Sequence, residues 1–175
     1  MGSEMCIRDS ARTTRAMLPP IMRRGELVGW VNGLAAGADG SLYYTEDAAV
    51  RKVSPRGAVT TIVAGVRVPR CASIPGEGSE IPPYLRGLDV TSDGTLFVAA
   101  SGCGAVLRIT PRGEATMFAR TSSPWSPTAV ALRGGDVFIL EYLHTASDDR
   151  REWLPRIRRV SPNGTIVTLA LVKRR

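Results

Sequence analysis

One order of signals runs through this chain three times. It comprises a small-residue strand, an acidic-glycine turn, an aromatic or aliphatic strand, a third strand with a basic residue, a Pro-x-Gly turn, and a final strand rich in Val, Thr and Ile. The first copy reads NGLAAGADGSLYYTED and then AVRKVSPRGAVTTIVAG, from Asn32 to Gly65. The second, RGLDVTSDGTLFVAASGCGAVLRITPRGEATMFAR, runs from Arg86 to Arg120. The third starts as PTAVALRGGDVFILEY at Pro127, is interrupted, and resumes as RIRRVSPNGTIVTLA up to Ala170. A repeat of this size cannot cover both faces of its own sheet, so its neighbours must supply the missing surface.

The turns identify the unit as a four-stranded meander. Asp39-Gly40, Asp93-Gly94 and Gly134-Gly135 supply the positive φ that a tight hairpin between strands one and two demands. Pro55-Arg56-Gly57, Pro111-Arg112-Gly113 and Pro162-Asn163-Gly164 close strands three and four, Pro fixing the entry and Gly permitting the exit. The second strands, residues 42–45, 95–98 and 137–140, are nearly continuous apolar runs, which suits sheets covered on both faces. The expectation is an all-β chain, a partial β-propeller of about three four-stranded antiparallel blades. With 43% apolar and 22% charged residues, 18 Gly and 12 Pro, the composition argues against collagen-like, coiled-coil and fully disordered chains. No apolar run approaches the roughly 20 residues of a membrane-spanning helix, so no membrane span is expected.

Residues 1–10 back-translate without a break into a string resembling the transposon mosaic-end adapter used to tag sequencing libraries, and are set outside the fold. The true amino terminus, with any export signal and any earlier repeats, is then expected to lie upstream. Residues 11–29 read as the remnant of a preceding blade, 30–65 as a blade, 66–85 as an inter-blade loop, 86–120 as a blade, and 127–170 as a blade with an insertion at 142–155. Residues 171–175 form a basic tail. Without residues 1–10 the chain keeps 22 basic and 14 acidic residues, a net charge of +8. The excess reads either as a solvated basic face or as an attraction for phosphate or another anionic surface. No basic helix, zinc-finger spacing or aromatic stacking motif accompanies it, so no nucleic-acid partner is expected.

Val31-Asn32-Gly33-Leu34 with Asp39-Gly40, Arg86-Gly87-Leu88 with Thr95 to Ala99, and Gly134-Gly135-Asp136 with Val137 to Ile139 together resemble NHL-type repeats. More specifically, they resemble the family of senescence marker protein, gluconolactonase and luciferin-regenerating enzyme. The likeness covers Trp30 to about Ala170 and corresponds to the carboxy-terminal half of that fold. It implies a six-bladed ring. It also implies a divalent cation (Ca, Zn or Mg) at the mouth of the central channel, held by a Glu, the Asn of Asn-Gly-Leu and the Asp of an Asp-Gly pair. Such a cation would polarise a lactone carbonyl. Asn32 carries over as a metal ligand; the Asp position holds Arg86, whose guanidinium offers donors only. Arg86 reads as an anion ligand in place of the metal, or as partner to a neighbouring carboxylate, and Asn32 as a ligand or as a turn residue.

Further candidates are fewer. His144 with Glu141 could act as acid or base, or His144 is a plain loop residue. Glu46 and Glu141 hold matching places, which also fits a hydrogen-bonding role repeated from blade to blade. Trp153 reads either as a ligand-stacking residue or as a staple for the insertion. Cys71 and Cys103 reach the same rim, as a disulfide or as two free thiols; a pair would point to an extracytoplasmic location. The functional expectation is a small polar ligand bound at the mouth. The alternatives are a metal-dependent lactone hydrolase and a scaffold for a protein partner.

Overall fold

The structure, a computed structural model, describes residues 31–69, 71, 83–143 and 153–172. The first meander sheet holds β1 (Val31–Ala36), β2 (Leu42–Glu46), β3 (Ala49–Val53) and β4 (Val59–Val63). The second holds β5 (Leu85–Val90), β6 (Leu96–Ala100), β7 (Ala105–Ile109) and β8 (Ala115–Arg120). The third holds β9 (Trp125–Arg133), β10 (Asp136–Leu143), β11 (Pro155–Val160) and β12 (Ile166–Leu171). Within each sheet, sequence neighbours pair antiparallel.

The turns behave as their residues demand. In the first hairpin Gly40 has φ 77°, and the Asp39 carboxylate accepts the Ser41 amide at 3.1 Å and its hydroxyl at 3.0 Å. Asp93 accepts the Thr95 amide at 3.1 Å in the same way. Gly57, Gly113 and Gly164, at φ 83° to 85°, end the Pro-x-Gly turns. The two turns of a blade share one end of the sheet and touch: a methyl on Gly40 would meet Pro55, one on Gly94 Pro111, and one on Gly135 Pro162, each at 3.4 Å.

Blades meet through alternate faces of their strands, because successive side chains point to opposite sides. Leu96, Val98 and Ala100 of β6 join Tyr43, Val50, Leu85 and Leu88 in one core cluster, between the first two blades. Phe97 and Ala99 join Val130, Val137, Ile139 and Val160 in another, between the second and third. Every residue of β6 is therefore buried. The apolar runs of β2 and β10 differ from the expected two-sided cover: their burial alternates, since each outer blade has a described neighbour on one flank only. Position for position, Val31 and Leu34 of the first blade are 57% and 67% exposed, where Leu85 and Leu88 of the second are 0% and 5%. The strand β12 is exposed along its whole length.

The strands β1, β5 and β9 form the hub. β1 lies against β5, and β5 against β9. Backbone meets backbone there: a methyl on Gly33 would fall 2.5 Å from the Arg86 carbonyl oxygen.

Candidate functional site

Each hub strand carries one extra residue, directly after the first pair in β1 and β5 and after three pairs in β9. Val31 pairs with Glu46 and Gly33 with Thr45, leaving Asn32 between them. Likewise Leu85 pairs with Ala100 and Leu88 with Val98, so two residues, Arg86 and Gly87, face one. In the third blade Pro127 pairs with Glu141 and Ala129 with Leu140, leaving Thr128. Asn32, Arg86 and Thr128 thus occupy one repeated bulge position, and a bulge re-aims the side chain it carries. All three lie at the end of the wedge opposite the tight turns. That end also carries the β2–β3 and β6–β7 turns and the β4–β5 and β8–β9 connections.

Asn32 and Arg86 are brought together by Tyr84, a residue that no sequence signal marked. The Tyr84 hydroxyl donates to Asn32 Oδ1 at 3.3 Å, and the Arg86 guanidinium carbon lies 4.8 Å from the centre of the Tyr84 ring. Asn32 Nδ2 donates to the Leu85 carbonyl at 3.1 Å, and the buried Thr45 hydroxyl donates to the Arg86 carbonyl at 2.8 Å. Tyr84 has φ 44°, a left-handed backbone that a bulky side chain adopts only when its surroundings impose it. The imposing groups are backbone ones. Ser101 donates its amide to the Tyr84 carbonyl, Gly102 to the Pro83 carbonyl, both at 3.1 Å, and Leu85 to the Asp47 carbonyl at 2.7 Å.

Ser101 to Cys103 form a single 3-10 turn between β6 and β7. Cys103 is disulfide-bonded to Cys71 of the preceding connection, with the α-carbons 4.6 Å apart. The same turn reaches the third blade, where the Ser101 hydroxyl donates to the Pro127 carbonyl and the Ser126 hydroxyl donates to the Ser101 carbonyl at 3.1 Å. Thr128 donates to the Leu140 carbonyl at 3.3 Å.

Glu141 is 0% exposed, and its carboxylate is held by Arg156 Nε on one oxygen and Arg158 on the other, with Arg158 Nε at 2.9 Å. Arg156 lies over the Trp125 ring at 4.0 Å. In the first blade Glu46 pairs with Arg51, which also donates to the Thr61 hydroxyl at 2.8 Å. The ladders make Arg51 and Arg158 equivalent: Tyr44 pairs with Arg51 as Ile139 does with Arg158. The second blade carries buried Ala100 and Leu107 at the matching positions. Trp153 is half-buried just before β11. The ladder runs on to a Tyr142–Pro155 pair, and Leu143 donates to the Leu154 carbonyl at 2.9 Å, so the base of the insertion is strand. His144 lies outside the described residues, as do residues 11–29.

A divalent cation finds little here. Asn32 supplies one neutral oxygen, which already accepts the Tyr84 hydroxyl, and the guanidinium of Arg86 stands at the equivalent position in the next blade. Among the described residues no three His, Cys, Asp or Glu side chains group as a metal site requires. The described residues do not by themselves fit the cation that the resemblance implies.

No protein-family profile and no curated protein sequence matches the chain. Solved structures do. A streptogramin B lyase superposes with a TM-score of 0.60 at 15% identity, covering 86% of this chain and 43% of that one. A gluconolactonase from Xanthomonas campestris gives 0.60 at 15% identity, covering 83% and 49%. The chain shares their propeller fold. Luciferin-regenerating enzyme is similar too, with a TM-score of 0.51 at 17% identity over 83% of this chain and 47% of that one. The resemblance read from the repeats therefore holds at the level of the fold, and the chain spans about half the length or less of these structures.

Proposed function

We propose that this chain forms three blades of a six-bladed ring whose mouth binds a small anionic ligand, with Arg86 as its principal contact. One observation carries the reading: the bulge in each hub strand bears a polar side chain in all three blades, and in the central blade that side chain is a guanidinium lying over the Tyr84 ring. A guanidinium offers five donors in a planar fork and binds a carboxylate through two parallel hydrogen bonds. Asn32 and Thr128, on either side, add neutral polar groups suited to a ligand that also carries hydroxyls or amides. The β6–β7 turn at this end contributes to a rim, as loops on a rigid scaffold commonly do.

Lactone or ester hydrolysis is the second reading, favoured by the fold shared with a gluconolactonase. It needs carboxylate ligands from blades beyond these three. The isolated chain is accordingly expected to hydrolyse no lactone with added Ca, Zn or Mg.

The anion reading is tested by labelling the chain with phenylglyoxal, which modifies arginines, and mapping each site by mass spectrometry. Acetate or inorganic phosphate should slow the labelling of Arg86 while leaving exposed Arg108 unchanged. Equal behaviour of the two arginines would refute it.

A further inference from the structure

We infer that Tyr84 is the positioning residue of this mouth, resting on the reading of Arg86 as the anion contact. Tyr84 touches both bulge residues of the first two blades: its hydroxyl reaches Asn32 Oδ1 at 3.3 Å and its ring lies under the Arg86 guanidinium at 4.8 Å. A cation over an aromatic face is held by the ring quadrupole, a contact that uses none of the N–H donors at the edge of the guanidinium. The ring is therefore placed to orient the fork rather than to compete for it.

The backbone at Tyr84 makes this more than a packing contact. At φ 44° the residue is in a conformation for which glycine is the ordinary choice. Glycine there would remove the strain and keep the hydrogen bonds that Ser101 and Gly102 make to the Tyr84 and Pro83 carbonyls, since these use backbone atoms only. A merely structural position would gain from that exchange. A bulky aromatic at a glycine-type conformation, beneath the charged residue of the mouth, points to the ring as what is needed. The Cys71–Cys103 disulfide fixes the turn that imposes this conformation, so the device is held from outside the mouth.

Two variants of the full chain test the inference. Tyr84→Gly removes ring and strain together; Tyr84→Phe keeps the ring. Without any added anion, phenylglyoxal should label Arg86 about two- to fivefold faster in Tyr84→Gly, the loss of one cation–π contact. Tyr84→Phe should leave that rate at the level of the unaltered chain, and Arg51 serves as the internal reference. The thermal midpoint of Tyr84→Gly should hold or rise, which separates positioning from folding. An unchanged Arg86 rate in Tyr84→Gly would overturn the inference, as would a Tyr84→Phe rate as fast as that of Tyr84→Gly. A second arm adds acetate: protection of Arg86 in the unaltered chain but not in Tyr84→Gly supports it. Absence of protection in the unaltered chain defeats the anion reading alone, and the anion-free rates still decide the role of Tyr84.

Discussion

Gly87 approaches Ala129 so closely that a methyl group on it would stand 2.8 Å from the Ala129 α-carbon and 2.9 Å from the Thr128 carbonyl oxygen. The obstacle is backbone, which yields less readily than the end of a flexible side chain. Gly87→Ala should therefore lower stability by about 1–3 kcal/mol through overpacking, read as a shift in the urea midpoint. An unshifted midpoint would mean that the second and third blades are not seated as described.

The carboxylates of Glu46 on β2 and Glu141 on β10 should respond very differently to neutralisation. Glu141 is fully enclosed with Arg156 and Arg158, whose side chains are 15% and 11% exposed. Removing its charge strands two poorly solvated guanidinium groups, and Glu141→Gln should cost about 3 kcal/mol. Glu46 faces a single Arg51 that is 35% exposed, so Glu46→Gln should cost about 1 kcal/mol or less. Equal losses in paired denaturation curves would contradict the difference in enclosure.

Cutting the covalent link should loosen the mouth before the hub. Cys71 and Cys103 are separated by 32 residues, a loop whose closure entropy corresponds to about 4 kcal/mol. Cys103→Ser should lower the thermal midpoint and speed amide exchange in residues 83–86. Strand β6, buried along its length, should exchange as slowly as before.

Acid should find Asp39 charged well below the usual carboxylate range. The Lys52 ammonium, 2.8 Å away, is the largest cause, followed by the Ser41 amide, and together they hold the Asp39 pKa at about 2. A folded-state value below the unfolded one stabilises the fold above the ordinary value near 3.8, and this contribution disappears as pH falls towards about 2. The group is exposed, so the effect is small and salt-sensitive. Lys52→Met should raise the Asp39 midpoint, followed by carboxyl NMR, and leave that of Asp93 in place. Asp93 is held low chiefly by the Thr91 hydroxyl and then by the Thr95 amide.

Blade order and turns were legible because they depend on local chemistry. Asp-Gly and Pro-x-Gly act within a few residues, and their repetition fixes the meander without knowledge of its surroundings. The equivalence of Asn32 and Arg86 was legible for the same reason, as both precede a Gly-Leu pair. Thr128 was not, since Ala129 breaks that pattern and the bulge is visible only in the pairing. Tyr84 was hidden more deeply. Its backbone conformation is imposed by Ser101 and Gly102, on a turn beyond β6, and no period in the sequence relates these residues. The second arginine on Glu141 was likewise unmarked, because Arg156 meets it only through the β10–β11 pairing.

Because residues 32, 86 and 128 sit at bulges that interrupt the pairing of their ladders, exchanging the side chain at one of them leaves the strand register intact. On the proposed reading, variation at these positions alters what the mouth recognises one spoke at a time, asparagine here and arginine there, while the architecture stays the same. Homologues of this chain sharing its shape should accordingly differ most at positions 32, 86 and 128, and ligand preference should track those three letters more closely than overall sequence identity.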